Sequence, residues 1–543
     1  MFDISGTMWL VYITFVYGMK SVFIPWIWPL FNQIFLMVYL AAWLRRSNVL
    51  TGAEWITTRF DHETNGGKLA HLITVIFSIV SIIGFLSYGF VGIGKFTKIF
   101  LPWDWSPHLY GIIITVATGI YVVKGGLFGV VVTDILQYIL MTISAIIIAV
   151  IAMNKVSPAM LNAAVPAGWQ NILFGWHLNL DWTCIMNSVN TKIASDGYSL
   201  FTIFIMMALF KGLFVSLAGP VATQSLQKVL AAKNPKEAAM LNGFSVIVVS
   251  IPRYLMIGGF TALALAFFSP QLKAMGSKID FELILPFAIS NFVPVGLMGL
   301  LLAGMLSAYM STTSAFLNLA PAYIVNDLYK KYFKPNETNR TYIRMSYLIS
   351  IIVTVVSIVF GLYIGSVNAA TQWIVGALWG GSAAANVLKW YWWRFNSYGY
   401  FWGMLAGLLI ALVMPVLFPD TNALFAYPYI LAISTLGSVL GTLLTKPEKE
   451  ELLIKFYTSV RPWGFWKPIK EKVKLNYPDF QENKNFGRDM VNILIGTIWQ
   501  ISLMAAPLAF VFKYWNLLFA TVAIAVVTSY LLKKNWYDKL EID

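Results

Sequence analysis

Long apolar runs dominate the chain, separated by short polar stretches. The runs fall at 7–24, 27–44, 70–98, 108–123, 127–153, 199–226, 240–268, 296–329, 343–365, 370–393, 399–418, 423–445, 488–512 and 514–532. A helix needs about 20 apolar residues to cross the hydrocarbon of a bilayer. The pattern therefore predicts fourteen transmembrane helices. The first run is the weakest, because Asp3 and Gly6 interrupt its head in "MFDISGTMW".

The connections alternate in character. "RRS" at 45–47, "QKVLAAKNPK" at 227–236, "YKKYFK" at 329–334 and "KWYWWRF" at 389–395 are basic. "LPWDWSP" at 101–107 and "FPDTN" at 418–422 are poor in Lys and Arg. Basic loops stay on the cytoplasmic side, so the first set is expected inside. The one long polar insert, 446–487, mixes charges with aromatics and reads as an amphipathic helix on the inner leaflet. The expected organisation is a transmembrane core at 1–445, this insert, and two C-terminal helices with a tail at 488–543.

Composition sharpens the class. Hydrophobic residues make up 58%, charged residues 11%, and mean hydropathy is +0.71. Soluble domains carry about 25% charged residues. The net charge of +14 sits in the short basic loops, so it orients helices and predicts no nucleic-acid partner. One cysteine, Cys184, permits no internal disulfide. No phosphate loop, zinc motif or paired carboxylates at a workable spacing is present, so no enzyme activity is expected. "GIGKF" at 92–96 ends a span and reads as close helix packing.

Polar residues inside spans carry the candidate chemistry. In "LLAGMLSAYMSTTSAFLN" (301–318), Ala308, Ser311 and Thr312 stand at i, i+3 and i+4 and share one helix face. Their carbonyl and hydroxyl oxygens suit a small hard cation; close helix packing would explain the same small residues. In "GGLFGVVVTDILQ" (125–137), Asp134 is either an interfacial carboxylate or part of an ion path. Asp3, Ser5 and Gly6 form a helix-breaking polar cluster of the kind secondary transporters use at the midplane.

Together these stretches resemble the sodium/solute symporters, which include the sodium–glucose, sodium–proline and sodium–sialic acid carriers. "GGLFGVVVTDILQ" resembles the family's G-G-L-x-x-V-x-x-T-D-x-x-Q. "LQKVLAAKNPKEA" is similar to its Q-R-x-L-A-A-K-N stretch, and "GLMGLLLAGMLSAYMSTTSAFLN" with "IVNDLYKKY" to the span ending in D-[IL]-Y. The later "LLTKPEKEELLIKFYTSVRPWGFW" resembles a bacterial subgroup.

The resemblance implies an all-α LeuT-type core of two inverted five-helix repeats, with extra C-terminal helices. It implies a sodium-coupled importer of a small polar solute, multi-pass in the inner (plasma) membrane of a bacterium. Sodium is the coupling ion, with no other cofactor and no other metal. The implied sodium ligands are Ala308, Ser311 and Thr312 with the carbonyls near Met1 and Ile4. Asp3, Ser5, Gly6 and Asp134 are implied in sodium linkage or gating. Thr7, Met8, Gln224 and Gln372 are the candidate solute residues. Ala222 and Gln224 stand where sugar carriers place an asparagine and an aromatic ring, which argues against a hexose. The family places a whole span and half of a broken helix ahead of "DISG". Met1 is therefore expected to be internal, with a native start roughly 50–70 residues earlier. The competing expectation is a non-transporting relative, a sensor or an inactive remnant.

Overall fold

Helix starts are written into the sequence by capping residues. Asp3, Thr64, Ser106, Asn234 and Thr338 each stand just outside a helix, and each side chain accepts from a backbone N–H of the first turn. Such caps satisfy donors that have no partner inside the helix. Pro107 and Pro235 follow two of them at the first helical position, where a missing N–H costs nothing. The computed structural model describes residues 3–540 apart from 28–29, 48, 50–51, 220–225, 227–228, 277–278 and 419–422. The side chains of 30–31, 52–54, 121, 123–134, 375–377, 416 and 423 also lie outside the described set.

The architecture is all-helical. Among the described residues, ten helices are long and apolar enough to cross a membrane, and Thr183–Asp196 with Phe201–Leu217 forms an eleventh candidate bent by 44°. The other three expected runs are helical but short or interrupted. Run 27–44 becomes Leu30–Phe35, a widened turn at Leu36–Leu40, and Ala41–Arg46. Run 370–393 is likewise interrupted by a widened turn at Trp373–Leu378. Runs 108–123 and 127–153 join, because the backbone stays helical from Pro107 to Lys155. The glycines at 125–126 weaken a helix by about 1 kcal/mol each without having to end it.

Burial orders these helices around a centre. The Ile4–Ile27 segment has 94% of its apolar window buried, against 22% for Asn339–Leu362 and 17% for Trp515–Lys539. The first helix is thus the most enclosed of these spans, while Asn339–Leu362 and Trp515–Lys539 present most of their side chains outward. The Ile4–Tyr17 helix ends at Gly18, whose φ of 62° a side chain would oppose. A Cβ there would also stand 2.7 Å from the Trp169 ring.

The 446–487 insert forms two helices, Glu450–Val460 and Lys467–Asn476, where one was expected. Phe456, Val460 and Trp466 are buried against the protein. Trp466 Nε1 donates to the Trp390 carbonyl at 2.8 Å. Arg59, itself fully buried, donates to the carbonyls of Lys389, Trp392, Trp393 and Phe395 and stacks between Phe456 and Trp466. Burial lowers its guanidinium pKa to about 10, so it remains charged at neutral pH.

Candidate functional site

The first helix begins where its cap makes a charged junction. Asp3 Oδ2 accepts from Gly6 N at 2.7 Å and from the Tyr88 hydroxyl at 3.0 Å. Asp3 Oδ1 accepts from Arg253 Nη2 at 2.8 Å. The carboxylate therefore ties the first helix to Asn65–Lys98 through Tyr88 and to Pro235–Met275 through Arg253. Gly6 is what permits this: a Cβ on it would lie 2.6 Å from Asp3 Oδ1 and 2.7 Å from Arg253 Nη2.

This junction forms one wall of a cavity of about 400 Å³. Asp3, Ile4, Ser5 and Gly6 line it on one side, and Thr312 and Thr313 of the Val295–Pro321 helix line it on another. Trp9, Phe85 and Phe316 supply aromatic surface, with Phe85 and Phe316 stacked at 4.9 Å. Ala308 and Ser311 are buried and do not line it. Of the three oxygen-bearing positions expected on this helix, Thr312 is the one that shares the cavity with Ile4.

The remaining sequence candidates disperse. The Ser5 hydroxyl donates to the Tyr88 carbonyl at 3.2 Å, which locks the first helix against its neighbour. The Thr7 hydroxyl donates to the Asp3 carbonyl at 2.6 Å. Thr7 and Met8 are fully buried in helix packing, and Trp9 and Leu10 form that part of the cavity wall. Gln372 Nε2 donates to the Tyr198 hydroxyl at 3.0 Å, away from the cavity lining. Met1 and Gln224 lie outside the described residues, as does the side chain of Asp134.

A second polar layer lies toward the face opposite the basic loops. Tyr12 and Tyr17 of the first helix both donate to Asp196. Lys192 pairs with Asp196 at 3.0 Å. Asn368 Nδ2 donates to Asp196 Oδ1 at 3.3 Å, while its Oδ1 accepts from Trp9 Nε1 at 2.9 Å. Glu282 accepts from the backbone N–H groups of Val367 and Asn368 at 3.1 and 2.8 Å. Lys95 closes the layer, 2.7 Å from Glu282 and 2.8 Å from Asp280. Trp9 touches both levels: its ring lines the cavity and its indole N–H joins the layer. Sequence reasoning missed Arg253, Tyr88, Asp196, Glu282 and Asn368. Only Arg253 left a signal, as a lone cation inside the apolar run at 240–268.

A capped helix start thus faces a hydroxyl-bearing helix across a central cavity, an arrangement suited to an ion-coupled secondary transporter. The comparisons name the family. The model of the sodium:solute symporter family matches residues 5–407, and the chain belongs to that family. The sodium/glucose cotransporter 4 of Danio rerio is 24% identical over 495 residues, covering 83% of this chain and 71% of its own length. The sodium/myo-inositol cotransporter of Bos taurus is 24% identical over 496 residues, with 80% of this chain and 64% of its own length covered. The sodium/sialic acid symporter NanT of Aliivibrio fischeri is 26% identical over 275 residues, half of each chain. A solved structure of a sodium-coupled sialic acid symporter, substrate-bound and outward-open, superposes with a TM-score of 0.56. It has 17% identity and covers 82% of this chain and 90% of that one, a likeness of fold. The LeuT-type fold and the multi-pass membrane class follow.

Proposed function

We infer that the chain is a sodium-coupled symporter that carries a small polar solute inward by alternating access. Family membership supplies the class, and the shared cavity of Ile4 and Thr312 is the observation that carries the site. In this reading sodium binds between the Ala308 carbonyl, the hydroxyls of Ser311 and Thr312, and carbonyls at the head of the first helix. Asp3 lowers the cost of bringing the cation to the midplane. Two helices supply the ligands, so sodium favours the state in which they are correctly spaced. A ligand shifts such an equilibrium only through its differential affinity for the two states. Thr7, Met8, Gln224 and Gln372 remain solute candidates on resemblance, and Asp134 a gating candidate. The basic loops, placed inside, and the likeness to the Aliivibrio symporter support a bacterial plasma membrane.

The test is uptake into proteoliposomes holding the purified chain. An inward sodium gradient should drive accumulation of a labelled solute, and a potassium gradient should not. Accumulation indifferent to sodium would remove the reading.

A further inference from the structure

Arg253 stands mid-way along the apolar Pro235–Met275 helix, with its side chain 15% exposed, at the wall of the cavity. A cation at membrane depth costs about 2.5–3.5 kcal/mol even on lenient scales. Neutralising Asp3 does not account for an arginine, since a lysine gives the same charge. The bond to Asp3 is a single one, from Nη2. Asp3's second oxygen is already taken by Gly6 N and the Tyr88 hydroxyl. The guanidinium carries five N–H donors in a planar fork, of which the bond to Asp3 takes one, and the side chain lines the cavity. A fork with free donors at the edge of a cavity is a carboxylate receptor in waiting.

We propose that Arg253 binds a carboxylate of the transported solute, which makes the substrate class a small organic acid with an apolar or hydroxylated body; this rests on the symport reading above. The cavity chemistry fits that body. Trp9, Phe85 and Phe316 face an apolar part, and Gln500 and Ser250 can pair with hydroxyls. The arrangement also couples ion to solute. Without sodium, the Asp3 carboxylate beside Arg253 repels an incoming acid. Sodium bound near Asp3 balances that charge, so the acid meets a net positive site. Acid affinity therefore rises with sodium, and by reciprocity sodium affinity rises with the acid.

The experiment compares matched probes on the purified full chain: lactate against propane-1,2-diol, glucuronate against glucose, and benzoate against benzyl alcohol. The readout is ligand-dependent melting with and without sodium. At least one acid should stabilise the chain in sodium and its neutral partner should not. Arg253→Gln should weaken that acid about 10- to 100-fold, the loss expected for charge-assisted bonds. Arg253→Lys retains the pair with Asp3, and with it the fold, yet loses the fork and should weaken the acid about tenfold. A neutral probe that binds as well as its acid overturns the proposal, as does an acid bound equally by all three proteins. So does a panel in which sodium stabilises the chain and none of the three acids adds to it. A chain that sodium does not stabilise overturns the symport reading, and this proposal with it.

Discussion

At the scale of single residues, spacing and chemistry drew attention to part of the cavity wall, Asp3 to Gly6 and Thr312. Helical periodicity groups Ala308, Ser311 and Thr312 on one face, and of the three Thr312 lines the cavity. Asp3 and Gly6 were legible because a carboxylate and a glycine do not belong at the head of a span. Their partners were not: Tyr88 and Arg253 lie 85 and 250 positions away from Asp3, and no local pattern links them. Thr7 and Met8 are buried in helix packing, and Trp9 of the same helix lines the cavity, because neighbours on a helix face different ways. Gly6→Ala tests the junction. The added methyl has no room beside the carboxylate and guanidinium, so the pair must separate. Overpacking of this kind costs about 1–3 kcal/mol. A lowered melting temperature and impaired sodium binding are expected; a variant as stable and as sodium-responsive as the parent would show that the close approach is dispensable.

At the scale of elements, apolar length located the ten single-helix spans found among the described residues, but it counted fourteen and did not foresee their continuity. A bend, a widened turn and a helix that runs through two glycines are set by neighbouring helices, which a window of one sequence does not contain. The insert at 446–487 shows the same limit: its apolar face was visible, its protein partner was not. Arg59 is that partner's key. Replacing it by Met leaves the buried carbonyls of Lys389 and Phe395 and the half-buried ones of Trp392 and Trp393 without their donor. Each orphaned group costs about 1–3 kcal/mol, so a loss of about 3 kcal/mol or more is expected. Thermal unfolding followed by tryptophan emission would record it, and an unshifted midpoint would deny the role. Acid should loosen the same region. Asp61 is held below the usual carboxylate range by its hydrogen bond from Lys449, and Glu482 by Lys470. A depressed carboxylate contributes stability that is full above its ordinary pKa and lost as pH falls through the folded value. The contribution is thus complete at neutral pH and fades below about pH 4. Hydrogen exchange within 446–487 should quicken there, and equal protection at pH 3 and pH 6 would count against both pairs.

At the scale of the whole molecule, the orientation expected from the basic loops puts the start of the bent Thr183–Asp196 and Phe201–Leu217 pair at the outer face. Cys184, the chain's one cysteine, is exposed at that start. A membrane-impermeant maleimide should label it from outside in intact cells; labelling only after the membrane is opened would invert the topology. The Asp196–Asn368–Glu282 layer was invisible in the sequence, since it is assembled from segments more than 80 positions apart. It joins the first helix to the outer elements above the cavity, so Glu282→Gln, which weakens the bonds from Lys95, Val367 and Asn368, should favour the open outer face. Faster Cys184 labelling would report this. The central claim is that sodium binds where the first helix faces Ser311 and Thr312. Binding of radioactive sodium to the purified chain addresses it without knowledge of the solute. The account predicts saturable binding that Ser311→Ala/Thr312→Ala weakens at least about tenfold, the equivalent of about 1.4 kcal/mol. Saturable binding of equal affinity in the double variant would contradict it.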